Sequence, residues 1–117
     1  MLKIAACLFA IAALGGLTMA VMHFRGKTPP PVALALGHGA FAASGIVVLF
    51  LALWPNFNGG AVFALGLFVL AALGGLTLAL GFHRRGKALP SGFIVGHGSL
   101  AALAFLVLLA VAFNLVS

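Results

Sequence analysis

Four long apolar segments make up almost all of this chain, and they constrain its fold more than any other feature. They cover roughly residues 4–22, 32–54, 61–82 and 93–116. Each is close to the ~20 residues that an α-helix needs to cross a hydrocarbon layer of ~30 Å. The 117 residues are 65% hydrophobic and include no Asp or Glu, a composition that a soluble domain of this size could not accommodate. We therefore predict an all-α integral membrane protein with one domain, residues 1–117.

The two halves of the chain share short sequence matches in the same order. Three matches recur: Ala-Ala-Leu-Gly-Gly-Leu-Thr at 12–18 and 71–77, Arg-Gly-Lys at 25–27 and 85–87, and Gly-His-Gly at 37–39 and 96–98. We interpret them as a tandem repeat, with repeat 1 at about 4–54 and repeat 2 at about 61–116. Because each repeat has two spans, both copies insert in the same orientation and are parallel. One extra residue in the second copy is needed to align His83 with His23.

Basic residues indicate how the spans are oriented. Five of the six lie in two short connections: Arg25, Lys27, Arg84, Arg85 and Lys87. The connection at 54–60 and the C-terminal tail carry no charge. The positive-inside rule then predicts cytoplasmic basic connections and outward-facing termini, in a bacterial inner membrane. The charge of +6 is thereby explained by topology, and we predict no nucleic-acid partner.

Short connections favour an up-down-up-down bundle, in which the first and third spans are diagonal and the second and fourth are diagonal. Pro29, Pro30, Pro31 and Pro90 should lie just before a helix or in its first turn. His38 and His97 would then lie about two turns into the second and fourth helices. We expect the two histidines to face each other across the core.

Histidine is the main chemically useful residue in the chain. Without a carboxylate or tyrosine, and with one cysteine, the chain cannot build a carboxylate dyad, a hard-cation site or an acidic proton relay. An imidazole from each of two diagonal helices is the axial ligand pair of a b-type haem. A hydrogen bond across a helix interface, a copper or zinc site and a quinone site are the other interpretations of His38 and His97.

Small residues near these histidines favour a flat ligand. At helical spacing after His38 and His97 come small residues that would open a slot, and glycines flank both imidazoles. The predicted lining consists of Ala42, Gly45, Ala101 and Ala104, with Gly37, Gly39, Gly96 and Gly98 beside the histidines. The five basic residues of the connections are candidate partners for haem propionates. We interpret the two Gly-Gly pairs, at 15–16 and 74–75, as points of close packing between helices.

His23 and His83 are weaker candidates for metal ligands. They lie at the cytoplasmic ends of the first and third spans and could ligate a second haem. They could instead contact water, lipid headgroups or a propionate at the interface. We favour one haem, placed toward the cytoplasmic face.

With this arrangement the chain resembles the four-helix transmembrane b-type cytochromes, the bis-histidine electron carriers that exchange electrons with quinones, ascorbate or partner proteins. The resemblance covers the architecture and His38 with His97. It implies haem b, electron transfer rather than stand-alone catalysis, and a quinone or other subunits of a redox complex as partners. Many of those cytochromes hold two haems near opposite faces, whereas the outer half of this chain has no histidine. The alternatives are a structural or assembly subunit and a small metal or solute transporter, and homo-oligomerisation is compatible with each.

Overall fold

The computed structural model describes residues 1–26, 29–54 and 56–116. Four α-helices occupy nearly all of them: α1 Leu2–Phe24, α2 Val32–Leu53, α3 Gly59–Leu76 and α4 Ser91–Ala112. A π-helical segment, Thr77–His83, continues α3. All four helices, the third counted through His83, are long and apolar enough to cross a membrane. The prediction of an all-helical, four-span membrane protein in contact with the lipid bilayer is thus confirmed.

Helix boundaries follow local backbone chemistry. Pro31 and Pro90 immediately precede α2 and α4, as the sequence predicts, because proline lacks the N–H that a helix interior requires. Asn58 caps α3, its side-chain oxygen accepting a hydrogen bond of 3.0 Å from the Ala61 N–H. Gly26 and Gly86 have φ values of +70° and +66° in the basic connections, a conformation that glycine adopts without steric cost.

The helices form an antiparallel bundle of 43 × 20 × 19 Å. The helices pack mainly as the pairs α1–α2 and α3–α4, and less extensive packing of α1 against α4 and of α2 against α3 closes the bundle. This leaves α1 diagonal to α3 and α2 diagonal to α4. Large apolar side chains cover the outside of all four helices, as expected for surfaces in contact with lipid tails.

The packed core lies at one end of the bundle. Its buried residues come from the beginnings of α1 and α3 and the ends of α2 and α4: Ala5, Ala6, Phe9, Leu49, Leu53, Ala61, Ala64, Phe68, Ala104, Leu108 and Val111. At the histidine-facing limit of this group the rings of Phe9 and Phe68 stack across the α1–α3 diagonal, with centroids 3.6 Å apart. The opposite end contains the histidines and, among the described residues, no comparable buried cluster.

Polar side chains within the helices bond mostly to nearby backbone. The hydroxyl groups of Thr18 and Thr77 donate to the carbonyl oxygens of Leu14 and Leu73, at 2.8 and 2.9 Å. Both threonines thus bond to the backbone of the preceding turn. A third hydroxyl, that of Ser44, donates to Ala40 at 2.8 Å. These hydroxyl groups are therefore already bonded within their own helices.

Candidate functional site

A cavity of about 340 Å³ occupies the histidine-containing half of the bundle. Its wall is built largely from glycine, alanine and aliphatic side chains of all four helices and both basic connections. Three histidines are its most polar side chains: His38, His83 and His97. The rest of the lining is Gly16, Met19, Ala20, Pro30, Ala35, Gly39, Ala42, Ala43, Ile46, Ala72, Gly75, Leu76, Leu78, Ala79, Leu89 and Ile94.

His38 on α2 is held by a backbone group of α1. Its Nδ1 lies 2.7 Å from the carbonyl oxygen of Ala12. A carbonyl oxygen only accepts hydrogen bonds, so the Nδ1–H of His38 is the donor. In the neutral ring this leaves a lone pair on Nε2, the nitrogen that is free to bind a ligand.

His97 on α4 repeats this arrangement against α3. Its Nδ1 donates to the carbonyl oxygen of Ala71, also at 2.7 Å, and in both pairs 26 residues separate the partners. Among the described residues neither Nε2 has a hydrogen-bond partner, and neither is a buried unpaired atom. Both atoms therefore remain accessible from the cavity.

The two imidazoles meet across the α2–α4 diagonal, as the sequence predicts. Their ring centroids are 6.0 Å apart and their planes are inclined by 83°. Two imidazoles on opposite sides of one metal would place their centres about 6 Å apart, given metal–nitrogen bonds of about 2.0 Å. Within the described ranges, no group of three or more His, Cys, Asp or Glu side chains could hold a metal ion. The spacing of the two rings is therefore compatible with two ligands of one metal.

The Gly-Gly pairs make room for these imidazoles. A Cβ atom added to Gly16 would lie 2.9 Å from Cε1 of His38, and one added to Gly75 would lie 3.0 Å from Cε1 of His97. Any side chain at either position would displace the ring. The glycine pairs are points of close packing, as expected, and the group that packs against each pair is an imidazole. One sequence feature could have indicated this contact: 22 residues separate Gly16 from His38, and 22 residues separate Gly75 from His97.

Only some of the small residues predicted to form the slot line the cavity. Gly39 and Ala42 line the cavity, whereas Gly45 faces Phe9, whose ring atoms would lie 2.9–3.0 Å from an added Cβ. Ala104 is buried in the packed core, and Ala101 is partly buried outside the cavity wall. The remaining glycines beside the histidines have open space where a Cβ would project: Gly37, Gly96 and Gly98.

His23 and His83 have different surroundings. Nε2 of His23 lies 3.0 Å from Oγ of Ser91, at hydrogen-bonding distance, which links the end of α1 to the start of α4. His83, at the end of the π-helical segment, lines the cavity. Sequence reasoning assigned the same candidate roles to both residues, and their surroundings in the structure differ.

The basic residues surround the same end of the bundle. Arg25, Arg84, Arg85 and Lys87 are exposed, and Lys27 lies outside the described residues. Pro30 and Leu89, from the same two connections, line the cavity. Positive charge is therefore concentrated at the cavity end, and the chain has no carboxylate side chain to neutralise it.

Comparison of the chain with protein families, curated proteins and solved structures finds no match. The histidine site itself is therefore the basis for assigning a function.

Proposed function

We propose that this protein is a haem b-binding electron-transfer module in which His38 and His97 are the two axial ligands. The observation that carries the proposal is the pair of Nδ1–H hydrogen bonds to helix carbonyls. Histidines that bind metals commonly donate their second ring N–H to a carbonyl or carboxylate, which fixes the tautomer and orients the ring. His38 and His97 both have this support, at equal distances and equal sequence separations.

The number of ligands favours a haem over a bare ion. Copper and zinc sites in proteins use three or four protein ligands, and the described residues supply two imidazoles at this point. A porphyrin brings four in-plane nitrogens of its own, so two axial imidazoles complete the coordination of its iron. The predominantly apolar wall of the cavity also suits a macrocycle with apolar faces.

When bound, haem would supply one-electron chemistry. The chain would provide the axial nitrogens, exclude water with the apolar wall, and place positive charge near the site through the basic connections. Burial and neighbouring charge both influence the reduction potential of a haem iron. We propose electron exchange at the cytoplasmic side, with quinone or a partner subunit. We propose matching roles for the two halves, which share short sequence matches in the same order.

A structural role is the second candidate, and the same hydrogen bonds favour it. They cross-link α1 to α2 and α3 to α4 without any ligand. Replacing each histidine with glutamine separates the two functions, because a side-chain amide can still donate to a carbonyl but is a poor substitute for an axial imidazole. The alanine variants remove both properties.

The deciding experiment is an absorption spectrum of detergent-purified protein, oxidised and dithionite-reduced, with pyridine haemochrome to count haems. We expect sharp reduced α and β bands that are lost or converted to a five-coordinate spectrum in His38→Gln and His97→Gln. His23→Gln is the matched control and should retain the wild-type spectrum. Protein that shows no Soret band after expression with added haem, but loses stability in His38→Ala and not in His38→Gln, would establish the structural role instead.

A further inference from the structure

We infer that His83 contacts the polar edge of the ligand in the cavity, and that this edge carries a carboxylate. The inference rests on the proposed function, because it assumes that a ligand binds between His38 and His97. It goes further by assigning a role to a third histidine and a chemical group to the ligand. It also distinguishes His83 from His23, its counterpart in the first half of the chain.

The difference between the two histidines begins with their partners. When the two Gly-His-Gly sequences are aligned, Ser91 at the start of α4 corresponds to Val32 at the start of α2. His23 uses the hydroxyl of Ser91, at 3.0 Å. Valine offers His83 no such group, and among the described residues the His83 ring has no hydrogen-bond partner.

The backbone near His83 also differs. His23 follows Thr18 by five residues, whereas His83 follows Thr77 by six. The extra residue is accommodated by the π-helical segment Thr77–His83; a π-helix bonds from residue i to residue i+5, so its turn is wider than an α-turn, and such segments are frequent at functional sites. Leu78, Ala79 and His83 from this segment line the cavity.

Charge identifies the group that His83 would meet. The chain has no Asp or Glu, so no internal side chain can provide an anion. Arg84 and Arg85 follow His83 directly and are exposed at the same end, so a ligand with a carboxylate there would gain charge-assisted hydrogen bonds. A lipid phosphate at this membrane face has related chemistry, and the two sources need to be separated by experiment.

The test compares haemin with its dimethyl ester, which keeps the macrocycle and iron but has no free carboxylate. Both would be titrated by absorbance into apoprotein in neutral detergent. For the wild type we expect haemin to bind about tenfold more tightly than the diester, the size expected for one charge-assisted hydrogen bond. His83→Ala should reduce this preference, whereas His23→Ala should retain it. Size-exclusion profiles would establish that both variants remain folded.

Each remaining outcome has a distinct meaning. An unchanged haemin preference in His83→Ala would overturn the role of His83 while leaving haem binding intact. If neither compound gave a six-coordinate spectrum with the wild type, the proposed function would fail, and this inference with it. Repeating the titrations in the same neutral detergent with added phosphatidylglycerol, which supplies the phosphate that the detergent lacks, tests the lipid source. A His83 effect that appeared only with phosphatidylglycerol would assign the contact to a lipid phosphate and overturn the carboxylate assignment.

Discussion

Phe9 and Phe68 stack across the α1–α3 diagonal with ring centroids 3.6 Å apart and planes 1° from parallel. Phe9 lies three residues before Ala12, the acceptor for His38, so the stack is about 5 Å along the helix axis from that acceptor. It lies on the side of the histidine-free end, where the packed core begins. The two aromatic rings therefore belong to the part of the packed core that lies nearest the histidine-containing half.

Removing one of these rings should loosen the closed end. We expect Phe9→Ala to reduce the free energy of unfolding by roughly 1–3 kcal/mol, less than in soluble cores, because lipid tails are as apolar as the core while the loss of packing remains. The temperature at which the monomeric peak is lost in size-exclusion chromatography would report this destabilisation. Phe63→Ala is the control, since Phe63 is exposed on α3. Equal loss in both variants would show that the stack contributes nothing particular.

Adding a methyl group beneath a histidine should affect the site more than the fold. In Gly16→Ala the new Cβ would lie 2.9 Å from Cε1 of His38, so the imidazole must move and its bond to Ala12 must weaken. We expect about 1–3 kcal/mol of destabilisation, as for other overpacked sites, and weaker haem binding in an absorbance titration.

The matched control for this substitution is Gly37→Ala. Gly37 is adjacent to His38, but nothing lies within 4 Å of an added Cβ. This variant should retain wild-type haem affinity and stability. Identical affinity in Gly16→Ala and Gly37→Ala would contradict the assignment of Gly16 as the recess for the imidazole.

The basic connections predict the orientation of the chain in the membrane. With these connections in the cytoplasm, a C-terminal alkaline phosphatase fusion in a bacterial host should be active, and a C-terminal green fluorescent protein fusion should be dark. Fusions placed after Lys87, inside the second basic connection, should give the reverse pattern. Fluorescence from the C-terminal fusion would mean that the termini face the cytoplasm.

Much of the fold could be read from local sequence. Segment length and composition determined the number of spans, because a backbone in lipid must satisfy its hydrogen bonds within each helix. Pro31 and Pro90 determined where α2 and α4 begin, because a ring without an N–H is tolerated at a helix start. Short connections then predicted the diagonal placement that brings His38 and His97 together.

Other features depended on contacts between residues far apart in the chain. Helical spacing placed Gly45 on the histidine stripe, but Phe9 of another helix fills the space beside it. Similarly, the glycine pairs contact imidazoles, and His23 and His83 diverge because the Ser91 hydroxyl lies at hydrogen-bonding distance from His23. Sequence alone determined the spans, their approximate ends and the histidine pair, because each follows from length, local backbone chemistry and connectivity. Tertiary structure decided which small residues border open space, because all sides of these helices are apolar and only packing determines what fills each gap.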